Sequence, residues 1–422
     1  CLTGLNKESI AIIPKGASMS IQSIQNQDFT CKTVLLRLDL NVPAEKGIVS
    51  DHTRIDRVRE SVQYLSKKAD KVLILSHFGR PKGKPDPAYS LNFLPSALEA
   101  SWGMLVEFLE EPVGSGDLKD HIAKLSKGSV ALLENMRFYA GEESNDISFC
   151  QHLAELGDIY VNDAFSVSHR AHASTEGLAR ILPSYAGIGL MREIEALDKV
   201  LTSPNRPLAA VVGGAKISTK LDVLTAMVEK VDTLILGGAM ANTFLMAQGY
   251  NLGRSLVEKD MLNTAQSIMD KAKAENCTLL LPRDIRASTA FEAGAPYRDC
   301  ALDDIKEDEM ALDLGPDSVA HINQVLNTTQ TLLWNGPLGA FEVHPFDEAT
   351  CVVASHAAAL TQQNGLFTSV AGGGDTAAAL AHAGVADKFS YLSTAGGAFL
   401  EMIEGKTLPG LKALEDAQTK AA

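Results

Sequence analysis

Two kinds of residue cluster recur along the 422-residue chain, and each implies its own chemistry. In the first half, polar and cationic side chains follow short apolar runs. These are Arg37-Leu38-Asp39-Leu40-Asn41, Ser76-His77-Phe78-Gly79-Arg80, Glu134-Asn135-Met136-Arg137, and Asn162-Asp163 followed by His169-Arg170. In the second half the same positions hold glycines: Gly213-Gly214, Gly237-Gly238, Gly336, Gly372-Gly373-Gly374 and Gly396-Gly397. Guanidinium and imidazole groups grip phosphate or carboxylate, whereas bare backbone opening a helix offers N–H groups to phosphate oxygens. A single Arg after a strand is ordinarily a paired surface cation, and a single Gly-Gly ordinarily permits a tight turn. Repetition argues otherwise. Several strand ends of one parallel sheet point at the same edge, and gathering cations there is costly unless an anion is held.

The glycine half carries more detailed signals. Gly213 to Lys220 joins an apolar run to a helix expected to reach about Lys230, which sets Lys216 and Lys220 four apart on one face of its first turns. Cations there oppose the helix dipole by roughly 0.3 to 1 kcal/mol each, a conflict that a bound polyphosphate reverses, so a nucleotide is indicated. Two exposed lysines on a solvated face are the bland alternative. Gly372-Gly373-Gly374-Asp375-Thr376 precedes an Ala-rich helix, Ala377 to Ala383. Asp375 offers a hard oxygen to Mg²⁺ and Thr376 a hydroxyl, although a simply capped helix would need neither ligand. Trp334 to Glu342 reads as a loop over the sheet edge, with Glu342 able to accept from ribose hydroxyls. His77, His169 and His172 lack zinc-like partners and read as anion donors. Gly405-Lys406-Thr407 imitates the end of a phosphate-cradling loop, but Leu400 stands where its first glycine must fall, and no Gly-x-Gly-x-x-Gly is present.

Strands must position all of these groups. The apolar runs are Val34–Leu36, Val72–Leu75, Val130–Leu133 and Ile159–Val161, then Leu208–Val212, Thr233–Leu236, Thr278–Leu281, Thr331–Trp334, Leu366–Val370 and Phe389–Leu392. Each is followed by turn residues and a longer amphipathic stretch, the mark of parallel α/β units. Two doubly wound, Rossmann-like α/β lobes with parallel sheets follow, with ligands expected beyond the carboxyl ends of the strands. Composition agrees: 45% apolar, 21% charged, with 33 Gly and 16 Pro, which excludes a disordered or collagen-like chain. The net charge of −14 excludes an extended nucleic-acid surface. No apolar run reaches the roughly 18 residues that span a bilayer, so no membrane partner is expected. The six cysteines show no metal or redox spacing, which points to a reduced, cytoplasmic protein. Met19 followed by Ser20-Ile21-Gln22 looks like a start, so residues 1–18 are expected to be a disordered extension or cloning remnant.

Taken in order, Arg37 to Pro43, Ser76 to Pro81, Leu133 to Phe138, His169 to Ser174, Gly213 to Lys216, Trp334 to Pro337 and Gly372 to Thr376 closely resemble the motifs of the phosphoglycerate kinases, from about residue 20 to the C-terminus. The resemblance implies transfer of the acyl phosphate of 1,3-bisphosphoglycerate to MgADP, giving 3-phosphoglycerate and MgATP. It implies that Asp39, Asn41, Arg54, His77, Arg80, Arg137 and Arg170 hold the phosphoglycerate. Gly213, Lys216, Lys220, Glu342, Gly373, Gly374, Asp375 and Thr376 would hold the nucleotide, with Asp375 on Mg²⁺. Arg54 enters only through the resemblance, since Asp51 to Asp56 reads as a charged helix start. Arg54 and Lys220 are the expected catalytic pair, one from each lobe, meeting on the transferring group as the lobes close about a hinge.

The organisation expected is a phosphoglycerate-binding domain at 19–187, an interdomain helix at 188–204, a nucleotide-binding domain at 205–395, and a tail at 396–422 that packs back on the first domain. A monomer is expected. Ser166 departs from the pattern, which more often has Gly there, and leaves a positive φ at that position in doubt. Two rival functions remain open on the residues alone, a non-catalytic anion binder and a kinase of another small carboxylate.

Overall fold

The computed structural model describes residues 20–419, so the expectation for residues 1–18 lies outside the described residues. In chain order the strands are β1 (Thr33–Leu38), β2 (Ala44–Glu45), β3 (Ile48–Val49), β4 (Lys71–Leu75), β5 (Val106–Leu109), β6 (Ser129–Leu133), β7 (Ile159–Asp163) and β8 (Ser184–Ala186). They continue with β9 (Leu208–Val212), β10 (Thr233–Leu236), β11 (Thr278–Leu280), β12 (Asp284–Ser288), β13 (Arg298–Ala301), β14 (Met310–Leu314), β15 (Thr331–Asn335), β16 (Thr368–Gly372) and β17 (Tyr391–Ser393). Two six-stranded sheets result, ordered β5-β6-β4-β1-β7-β8 and β11-β10-β9-β15-β16-β17, and every pairing within them is parallel.

Both faces of each sheet are covered, which is why the runs are almost wholly apolar. Side chains alternate across the sheet with period two. Thus Leu35, Leu73, Leu133 and Tyr160 enter one core, whereas Val34, Leu36, Ile74, Leu132 and Val161 enter another with Ile55, Val62 and Leu65 of the helix Thr53–Ser66. The second sheet divides likewise, with Ala210, Leu234 and Leu333 on one side and Val211, Ile235 and Trp334 on the other. One apolar cluster is continuous from the first sheet through Leu190, Ile194 and Leu197 of the helix Ile188–Leu201 into the second sheet. The helices Gly396–Ile403 and Pro409–Thr419 then return to the first sheet's side, where Gly410 N–H donates to Ser168 O at 2.9 Å.

All ten anticipated strands are present, although β16 begins at Thr368 rather than Leu366. The apolar runs do not reveal β5 and β8 in the first sheet, the antiparallel sheet β13-β12-β14, or the β2-β3 hairpin. Another expectation is corrected at the glycine turn. The helix there runs only from Leu221 to Lys230, with Lys220 as its N-cap and Lys216 in the preceding loop, so the two lysines do not share a helical face.

In each sheet the chain winds outward to one side of its first strand and then returns to build the other side. The reversal falls between β1 and β7 in the first sheet and between β9 and β15 in the second. Such a reversal opens a crevice at the carboxyl ends of the two strands, where the following loops leave in opposite directions.

Candidate active site

The crevice beyond β1 and β7 opens into a cavity of about 290 Å³. Asp39, Asn41, Arg54, His77, Arg80, Arg137 and Arg170 all line it, and Thr394, Gly396 and Gly397 close it from the C-terminal segment. Asp39 is the hub. Arg54 Nη1 donates to Asp39 Oδ2 at 2.6 Å, the Ser166 hydroxyl donates to the same oxygen, and Asn41 N–H donates to Oδ1 at 3.1 Å. Burial pushes the Asp39 carboxyl up, but Arg54 and these hydrogen bonds bring it below its ordinary value, so it stays ionised. Asn41 Oδ1 accepts from Gly79 N–H at 3.0 Å and Arg137 Nη1 donates to Gly79 O at 2.7 Å, which fixes the loop bearing Arg80.

His77 is buried, and burial together with neighbouring Arg37 holds its pKa well below the ordinary histidine value. Arg37 Nη2 lies 3.1 Å from His77 Nδ1. A guanidinium can only donate, so Nδ1 accepts and the ring hydrogen resides on Nε2. His77 is therefore a neutral donor. Arg37 itself is 1% exposed inside β1 and donates to Ser174 Oγ at 2.9 Å, which makes it a brace beneath the site rather than one of the strand-end cations. His169 is likewise held below the ordinary value by burial and Arg170, and His172 is brought down to about 4 by burial and three arginines. Ser166 lies in a short 3₁₀ turn, Phe165–Val167, without positive φ, so the substitution for glycine strains nothing and adds a bond to Asp39.

The second crevice is built from glycine contacts. A Cβ on Gly213 would stand 1.8 Å from Pro337 O, and Gly373, at φ 103°, opens the helix Gly374–His382. Lys220 Nζ bridges the two strand ends, donating to Gly213 O at 2.6 Å, Asn335 Oδ1 at 2.7 Å and Asn335 O at 3.2 Å. Burial lowers its pKa to about 8, against the pull of Asp375. Asn335 Nδ2 donates to Gly372 O at 2.7 Å, and Gly336 N–H donates to the buried Thr376 hydroxyl at 2.7 Å, which ties the triple-glycine turn to the loop after β15. Gly213, Lys220, Gly373, Gly374, Asp375 and Thr376 thus belong to one neighbourhood. Lys216 and Glu342 are exposed, and no described hydrogen bond joins their side chains to it.

Three contributors were not among the expected site residues: Ser166, Asn335 and Arg37. Asn335 could have been found from its place in Asn-Gly-Pro at a strand end. Ser166 shows its role only across the 127 residues that separate it from Asp39.

Two doubly wound lobes, one with an arginine-lined anion cavity and the other with a glycine-built crevice holding a buried lysine, define a two-lobed phosphotransferase of small molecules. The family model described as Phosphoglycerate kinase matches residues 24–406. The chain belongs to the phosphoglycerate kinase family. It is 56% identical over 396 residues to the phosphoglycerate kinase of Rhodospirillum centenum, covering 94% of this chain and all of that one. With the phosphoglycerate kinase of Zymomonas mobilis it shares 54% over 388 residues, 92% of this chain and 97% of the relative. The solved phosphoglycerate kinase of Coxiella burnetii superposes with a TM-score of 0.87 at 38% identity, covering 95% of this chain and all of that one.

Proposed function

We propose that the cavity lined by Asp39, Asn41, Arg54, His77, Arg80, Arg137 and Arg170 holds 3-phosphoglycerate or the glycerate part of 1,3-bisphosphoglycerate, and that the Gly213–Lys220 and Gly372–Thr376 turns hold ADP or ATP. The enzyme moves the acyl phosphate of 1,3-bisphosphoglycerate to MgADP, giving 3-phosphoglycerate and MgATP, and runs the reverse in gluconeogenesis. The single observation that supports this assignment best is the gathering of those seven side chains around one cavity. Four arginines there match a doubly anionic substrate, and neutral His77 adds a directed donor without further charge.

An acyl phosphate is a good donor and ADP a competent acceptor, so no general base is needed. What the protein must supply is alignment and positive charge on the transferring group. In our reading Arg54 and Lys220 do this from opposite lobes. The three Nζ donors of Lys220 are occupied by protein oxygens, so phosphate capture exchanges at least one of those bonds. Asp375 fits a Mg²⁺ site: it is an exposed, hard carboxylate at a helix start, and Mg²⁺ takes one or two carboxylates beside nucleotide phosphates. Held there, Mg²⁺ would supply charge neutralisation to the nucleotide phosphates. Lys216, Glu342, Gly213, Gly373, Gly374 and Thr376 complete the nucleotide site in this reading, with Lys216 and Glu342 reaching it when the ligand arrives.

The domains we propose divide at 19–187, 188–204, 205–395 and 396–422, and the working form is a cytoplasmic monomer. No described helix is long and apolar enough to cross a membrane. The deciding experiment is a coupled assay with 3-phosphoglycerate and ATP, run beside other small carboxylates. Turnover confined to 3-phosphoglycerate is expected, and preference for another acid would overturn the substrate assignment.

A further inference from the structure

We propose that Asp347, Cys351 and His382 form a second metal site, one suited to a borderline divalent transition ion such as Zn²⁺ and distinct from the magnesium site of the nucleotide. The carboxylate of Asp347, the thiol of Cys351 and the imidazole of His382 each place a ligand atom within 4.8 Å of the other two. His344 Nδ1 lies 3.0 Å from Asp347 Oδ1, and His382 Nε2 lies 2.7 Å from Asp347 Oδ2. The fold arranges this locally. Asp347 immediately precedes the helix Glu348–Asn364 and Cys351 follows four residues later on the same face, its N–H bonded to Asp347 O at 3.0 Å. His382 ends the helix Gly374–His382, about 12 Å along its axis from the glycine turn that opens it.

Hydrogen bonding to one carboxylate explains the two imidazoles but leaves the half-buried thiol beside them without a hydrogen-bond partner among the described residues. A single cation accounts for the thiol, the carboxylate and His382, while His344 holds the other carboxylate oxygen. One sulfur, one ring nitrogen and one carboxylate oxygen, with water as a fourth ligand, make a mixed tetrahedral set that suits Zn²⁺ or Co²⁺, whereas Mg²⁺ prefers oxygens alone. The ion would clamp the helix Glu348–Asn364 to the helix Gly374–His382, and because the unfolded chain scatters these ligands, binding would raise the melting temperature.

Cobalt titration of the full chain, with excess Mg²⁺ present, tests this. The expected result is one Co²⁺ per chain with thiolate-to-cobalt charge-transfer absorption, lost in Cys351→Ala. Binding should weaken at least about tenfold in His382→Gln, the lower bound for losing even an outer partner of a metal site. Zn²⁺ should raise the melting temperature of the wild type and not of either variant. Absence of the absorption band in the wild type, or its survival undiminished in Cys351→Ala, as a thiolate from the exposed Cys31 would give, overturns the proposal. If Cys351→Ala folds poorly, His382→Gln, at an exposed helix end, decides the matter through Zn²⁺ stabilisation: its loss supports the site and its persistence at wild-type size overturns it.

Discussion

Lys220 combines a charge, a buried position and three protein acceptors, and its protonation sets two opposite pH trends. Burial brings its pKa to about 8 from an ordinary 10.5. If Lys220 serves the nucleotide phosphates as proposed, the free enzyme loses that cation above pH 8, so kcat/KM for MgADP should fall there, and Lys220→Arg should move that limb to higher pH. Stability moves the other way: between about pH 8 and the ordinary lysine value the unfolded chain binds more protons, so stability from this group rises with pH across that window. A kinetic profile flat from pH 7 to about 10 would refute the assignment. Truncating Arg54 or Lys220 to Ala should lower kcat about 100-fold or more, as losing one donor to a developing charge does, and a loss under about threefold would remove that residue from the chemistry. Ser166 acts through Asp39. Ser166→Ala frees the oxygen that Arg54 shares and should raise KM for 3-phosphoglycerate by about tenfold to a hundredfold, leaving KM for ATP unchanged, since a hydrogen bond to a charged group contributes roughly 1.5 to 3 kcal/mol.

Glycine turns decide the second crevice at the scale of elements. Gly213 has no room for a side chain because the loop after β15 crosses directly over it, bringing Pro337 O to 1.8 Å from the place a Cβ would occupy. Gly213→Ala should therefore separate the ends of β9 and β15, destabilise the second lobe by about 2 kcal/mol, within the usual range for overpacking, and weaken nucleotide binding more than phosphoglycerate binding. Denaturant unfolding with and without each ligand measures both. Strands buried on two faces were legible as apolar runs, and β9 and β10 match their runs to the residue. The edge strands of the first sheet were not. β5 is Val-Glu-Phe-Leu and β8 only Ser-Tyr-Ala, with one neighbour each and too little apolar surface to leave a pattern. The antiparallel strands β12, β13 and β14 carry Arg286, Asp299 and Asp313, polar groups that pair across that sheet or its neighbours and so erase the apolar signature of a strand.

Arg57 ties together parts of the whole molecule that local reasoning keeps separate. From the helix Thr53–Ser66 it donates to Leu392 O at 2.7 Å and Thr394 Oγ1 at 3.0 Å, and it lies 3.7 Å from Glu193 of the helix Ile188–Leu201. A split site must close to align its ligands and keep water from the phosphoryl group. Small-angle scattering should show compaction when 3-phosphoglycerate and a nucleotide are both bound. Arg57→Ala should enlarge the unliganded particle, and identical scattering curves in all these states would exclude closure. The two parallel sheets and the residues at their carboxyl edges were determined by the sequence itself, because apolar runs ending in arginine or glycine commit a parallel sheet and its edge within a few residues. The tertiary structure alone decided which groups work free and which are held. Arg37 became a buried brace, Lys220 acquired its lowered pKa, and Ser166 met Asp39, because desolvation and hydrogen bonding depend on neighbours brought from more than a hundred residues away.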